Sequence, residues 1–256
     1  ALDHDDLSDP RRLGLQAAYL EANPEVLLVG TLVQEWRDGR VTPEDQPART
    51  SPALIRLLLH LDNPLAWSSV MLRASALPAL GPGPLRSEFE PADDFDLYHR
   101  LLAFGRVARL DLPLTTYRWH GSNASYEGSG QISGRAADVL ARAYGPWFGT
   151  EAPAAAALVV RHGNDRVPAT DPAAMHRLRA VVRRVAEALA EAHPGERAEI
   201  EAGARYALWR FMRAGIRSGF PSLFRPPAPP LDAVASLAVG TLRAGRRRAN
   251  IGRRQS

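Results

Sequence analysis

A chain of 256 residues in which 45% are apolar can close a globular core, so the sequence is neither disordered nor fibrous in character. The absence of cysteine excludes disulfides and thiolate metal sites, and the use of arginine as the sole basic side chain excludes Schiff-base chemistry and a phosphate-loop lysine. The formal charge of +4 is an uneven average: six arginines follow Asp232, the last acidic residue, so the body is slightly acidic and the tail is basic.

The chain opens on Asp3, His4, Asp5 and Asp6. Like charges packed this tightly repel one another and persist most easily where a cation or a reacting group needs them. Because the first residue is alanine, the segment reads as the interior of a longer protein, cut at a functional loop. "SDPRRLGLQAAYLEANP" then has the marks of a helix, with Ser8 or Asp9 as cap, Pro10 in its first turn and an apolar stripe of Leu13, Ala17 and Leu20. "EVLLVGTLVQEW" reads as a buried strand and Asp38-Gly39 as a hairpin turn. "TSPALIRLLLHL" repeats the helix-start signal with Ser51 and Pro52, "AWSSVMLR" is a strand candidate, and "GPGPLR" is a loop. "PADDFDLYHRLLAFG" predicts a third helix with Leu97, Leu101 and Phe104 on one face, and "RVARLDLPLTTYRWHGS" returns to strand. Helices alternating with apolar strands predict an α/β layer arrangement.

From about residue 127 the character changes. Met175, Leu178, Val182, Val185 and Leu189 recur at three and four spacing, and "ERAEIEAGARYALWRFMRAGIRSG" supplies a partner helix, so 127–219 is expected to be a helical extension. A proline-rich linker at 220–230 leads to a short amphipathic helix and the arginine tail, residues 231–256. No apolar run approaches the ~20 residues of a membrane span.

The acidic cluster admits two readings from its own residues. Clustered aspartates at a strand end place hard oxygen ligands where a divalent cation can bridge a phosphate, whereas a solvated loop with a helix cap produces the same letters. His60, His99, His162, His176 and His193 fit no motif and are read as structural or exposed.

Three stretches together carry a resemblance. "LDHDDLSDPRRLGLQAAYLEANPEVLLVGT" is similar to the central segment of family 2 glycosyltransferases, "NPLAWSSVMLR" resembles their Asn-Pro-Ile-x-His-Ser-Ser-Val-Met segment, and "ADDFDLYHRLLAFGRVARLDLPLTTYRWHGSNAS" resembles their Glu-Asp-Tyr-Asp-Leu-Trp helix and closing Tyr-Arg-x-His-Gly strand. Order and spacing agree over roughly residues 2 to 125. The resemblance implies a GT-A fold, a Rossmann-like mixed sheet whose N-terminal nucleotide-binding strands precede this chain, over residues 1–126. It implies metal-dependent, inverting transfer of a sugar from a nucleotide-sugar donor to an acceptor hydroxyl.

On that resemblance Asp3-His4-Asp5 matches the DxD motif, with Asp5 the direct ligand to Mn²⁺ or Mg²⁺ and Asp3 nearer the donor ribose. His120 matches a second metal ligand, against the alternative of a histidine packed under a loop. Asp94 matches the catalytic base that takes the acceptor's proton, against the alternative of a helix cap whose dipole would lower its pKa. Asp93 stands where the family usually has glutamate and Trp67 where it often has histidine, both beside the expected sugar pocket. Arg118 is a candidate partner for the diphosphate. The rival expectation is a non-catalytic module in which the helical half and basic tail dock a partner or membrane. The expected location is cytoplasmic, with peripheral contact to the inner membrane face through the arginine tail and no nucleic-acid partner.

Overall fold

The computed structural model describes residues 1–43, 46–119 and 129–217 of the chain. It is a mixed α/β structure around a five-stranded sheet of parallel and antiparallel strands. Strand β1 (Leu7–Ser8) is followed by helix α1 (Arg12–Ala22), the long strand β2 (Val26–Arg37) and β3 (Arg40–Pro43). Helix α2 (Pro52–Leu59), the short strand β4 (Met71–Leu72), one helical turn α3 (Leu77–Leu80), helix α4 (Asp93–Leu101) and strand β5 (Arg106–Arg118) complete the first half. Among the described residues four helices follow: α5 (Ser129–Phe148), α6 (Ala152–His162), α7 (Pro172–Ala192) and α8 (Arg197–Arg217).

The sheet is built on β2 and β5, which run parallel; β1 pairs antiparallel with β5, and both β3 and β4 pair antiparallel with β2. The β2–β3 turn falls at Asp38-Gly39 as the sequence predicts, with positive φ at both residues (51° and 73°), the backbone an I′ hairpin requires. Alternation along the strands divides the side chains between two layers. Val29 and Ala108 pack with Leu20 of α1 on one face, while Leu28 and Val107 face a much larger apolar cluster built from α2, α4 and the helical half.

Helix α2 starts where Ser51 and Pro52 predict, with Ser51 Oγ accepting the Leu54 N–H at 3.2 Å. Its Ile55, Leu57 and Leu59 are fully buried, and α8 crosses it so closely that a Cβ at Gly203 would lie 2.7 Å from the side chains of Leu54 and Leu57. Strands at 26–37 and 106–118 and helices at 172–192 and 197–217 stand where the sequence places them. Helices α5 and α6 lie in the part expected to be helical, although the hydrophobic spacing there does not single them out.

Four local expectations are corrected. Helix α1 begins at Arg12, after Pro10, and its cap position is Arg11; Asp9 instead receives the Arg11 N–H at 2.9 Å. Its buried face is Arg12, Gln16 and Leu20, whereas Leu13 is 58% exposed. The cause is polar docking: Gln16 Nε2 donates to the carbonyls of Val29 and Ser69, both at 2.8 Å, and Arg12 Nη1 donates to the Ser68 carbonyl at 2.8 Å. The "AWSSVMLR" segment is a 3₁₀ turn at Trp67–Ser69 followed by only two residues of strand. Phe104 lies beyond the end of α4 and is 57% exposed.

Among the described residues no helix is long and apolar enough to cross a membrane. The proline-rich linker, the amphipathic segment and the arginine tail lie outside the described residues.

Candidate active site

Three segments far apart in sequence meet at one end of the sheet. The acidic segment is drawn into a turn in which the Asp6 N–H donates to the Asp3 carbonyl at 3.2 Å, and it enters β1 on the edge of β5. Asp6 fastens this turn: its Oδ1 accepts the Arg118 N–H at 3.0 Å, at the end of β5, while its buried Oδ2 has no hydrogen-bonding partner among the described residues. Asp3 is tied to the second segment, since Ser68 Oγ donates to Asp3 Oδ2 at 2.7 Å. Ser68 belongs to the 3₁₀ turn that also carries Trp67, whose half-buried ring packs against the main apolar cluster.

The third segment is the start of α4, where Asp93 and Asp94 occupy the first two helical positions and Ala92 is the cap. Asp94 is not the capping residue; its Oδ1 accepts the N–H of Phe95, the next residue, at 2.7 Å. The expected lowering of its pKa by the helix dipole is corrected. Burial, with the neighbouring charge of Asp93 and a further contribution from Asp3, pushes the Asp94 carboxyl up to about 6, against the opposing Phe95 hydrogen bond. Tyr98, one turn further along α4, is fully buried, with its hydroxyl beside the Asp94 carboxyl. Burial and the nearby Asp94 and Asp93 charges push that phenol well above its ordinary range.

Asp3, Asp93, Asp94 and the Trp67 turn are thus brought together, and Asp5 stands in the same acidic turn with its side chain 23% exposed, 4.0 Å from His4 Nδ1. Arg118 is exposed at the strand end, its guanidinium 4.6 Å from the centre of the Trp36 ring, and Arg37 stacks in turn on Trp119 at 3.7 Å. His120 lies outside the described residues. Ser68, Tyr98 and the Trp36–Arg118 stack are absent from the sequence-based set. The paired serines after Trp67 and the four-residue step from Asp94 to Tyr98 were the available signals, but only the fold makes them neighbours.

The donor chemistry at the acidic turn suits a hard divalent cation: Asp3, Asp5 and Asp6 supply carboxylate oxygens, and Asp6 Oδ2 is an orphaned buried acceptor. Among the described residues no three carboxylates or imidazoles are gathered into a complete cage. An arrangement of one or two carboxylates completed by phosphate oxygens and water is how Mg²⁺ is ordinarily held beside a nucleotide. Comparison with models of known protein families and with curated proteins finds no match to this chain.

Proposed function

We propose that the chain belongs to a nucleotide-sugar-dependent glycosyltransferase of the family 2 kind, with a GT-A type sheet, and carries the catalytic base and the aspartate motif of its active site. The observation that supports this reading most directly is the convergence of the Asp3–Asp6 turn with Asp94, together with the raised pKa of that carboxyl. A base whose pKa lies about one unit below neutral is largely ionised at pH 7 and retains affinity for a proton, the compromise that general-base catalysis favours.

In this reading the acceptor hydroxyl lies against Asp94, which takes its proton as the oxygen attacks the anomeric carbon from the face opposite the leaving group. The configuration inverts. Asp93 orients the sugar from the adjacent helical position, and the Trp67 ring offers a flat apolar face to it. Asp3 addresses the donor ribose, and Arg118 with its fixed planar guanidinium addresses the diphosphate. A Mg²⁺ or Mn²⁺ ion held by Asp5 would supply neutralisation of the departing diphosphate's charge. His120 remains the proposed additional ligand. The nucleoside itself is held, in this reading, by units that the family places ahead of the aspartate segment.

The test uses the full-length protein, a panel of nucleotide sugars with Mn²⁺ or Mg²⁺, and measurement of nucleoside diphosphate release. Release should depend on the cation, rise with pH through an apparent pKa near 6, and fall by roughly 10²- to 10⁴-fold in Asp94→Asn while donor affinity is retained. Asp5→Ala should instead weaken donor binding. Full turnover in excess chelator, or in Asp94→Asn, would remove the reading.

A further inference from the structure

Away from the acidic turn, toward the C-terminal end of α4, a cavity of about 420 Å³ opens between α2, α4, α5 and the end of α7. None of the residues that line it belongs to the site described above. One wall is made of two imidazoles, His60 and His99, with ring centroids 5.0 Å apart. His60 Nδ1 lies 2.8 Å from the Arg56 carbonyl and His99 Nε2 lies 2.9 Å from the Leu59 carbonyl. A carbonyl only accepts, so these two nitrogens carry the hydrogens, and His60 Nε2 and His99 Nδ1 present lone pairs. Burial pushes the two rings down to about 4 and about 3, which keeps both neutral near pH 7. Among the described residues neither lone pair has a hydrogen-bonding partner.

Trp147 forms an aromatic surface of the same cavity, its ring 5.1 Å from that of His60. Arginines dominate the charge around it. Arg56 is closed by its ion pair with Glu196, and Arg100 is closed by Asp96 at 2.7 Å. Arg86 and Arg142 are held less firmly: Arg86 Nε reaches only 3.9 Å from the already engaged Asp96, and Arg142, its guanidinium 4.3 Å from the centre of the Phe89 ring, is 3.4 Å from Glu88 with both side chains mostly exposed. Asp96 is the one carboxylate among the described residues that line it. The cavity therefore offers two loosely held guanidiniums, two acceptors that need a donor such as a hydroxyl, and an aromatic face, in a volume at the small end of ligand sites.

We propose that this cavity binds a monosaccharide carrying one acidic group, such as a sugar phosphate or a uronic acid, with the anion on Arg86 and Arg142, hydroxyls donating to His60 and His99, and the ring against Trp147. The proposal is independent of the reading of the Asp94 site. It is tested by calorimetry on the full chain with four probes: glucose 6-phosphate, glucuronate, glucose and inorganic phosphate. One or both acidic sugars should bind, glucose and inorganic phosphate should each bind at least tenfold more weakly, and the two acids separate phosphate from carboxylate recognition. The double variant R86Q/R142Q changes exposed or half-exposed side chains and is expected to fold, as circular dichroism would verify. It should weaken the acidic sugar at least tenfold. Binding of neither acid, equal binding of inorganic phosphate, or undiminished binding by the double variant would overturn the proposal.

Discussion

Asp94 shows how far a residue's chemistry depends on neighbours that its local sequence does not contain. Its ordinary pKa of 3.8 is raised to about 6 in the folded chain, so the fold favours the protonated form. The stability associated with this group is intact below about pH 4 and is lost progressively as pH rises through 6. Asp94→Asn abolishes the penalty on the charged form. The variant should therefore be more stable than the parent at pH 7.5, by on the order of 1–2 kcal/mol once partial exposure is allowed for, and no more stable at pH 4. Denaturant melts at the two pH values measure this, and an equal difference at both would disprove the upward shift. The sequence made the aspartate visible as a candidate through its match to the Glu-Asp-Tyr-Asp-Leu-Trp helix of the family it resembles, whereas its place at a helix start pointed only to a cap. Its environment was not legible, since Asp3 approaches through the β1–β5 pairing and its tie to Ser68, and burial outweighs the helix dipole that position alone suggests.

At the level of elements, hydrophobic spacing located the long strands and the α7–α8 pair, passed over α5 and α6, and chose the wrong face of α1, where docking is polar. On α1 the period selected Leu13, yet Gln16 is wholly buried because two carbonyls, on β2 and on the Trp67–Ser69 turn, need its amide. Gln16→Ala leaves both without that donor and opens a void, and urea unfolding should record a loss of about 2–3 kcal/mol. A second case follows α6. A Cβ at Gly163 would stand 2.8 Å from the Val159 carbonyl and closer still to that of Leu61, and backbone cannot move aside as a leucine tip can. Gly163→Ala should cost about 1–3 kcal/mol by the same measurement, whereas Gly203→Ala, which meets only leucine side chains, should cost less. Periodicity is blind to both, because it reports which residues are apolar and says nothing about which backbones come close.

For the whole molecule, the change of character near residue 127 does not divide the core. Buried residues of the first half, among them Leu28, Ile55 and Leu97, and of the second, among them Leu178, Val182 and Ile200, belong to one contiguous apolar cluster. Polar ties cross the same seam: Glu196 pairs with both Arg56 and Arg106, and Arg210 with Asp62 at 2.9 Å. Far-UV circular dichroism and tryptophan fluorescence should accordingly report one coincident thermal transition, and two separated transitions would mean that the halves fold independently. The position of α2, with sheet on one side and α8 on the other, carries this further. An amide proton in such a helix reaches water only when both covers are gone, because opening either half alone leaves the other in place. In deuterated buffer the α2 amides should be among the last to exchange, at a rate that tracks global unfolding, while those of β3, on the exposed rim, exchange through local fraying.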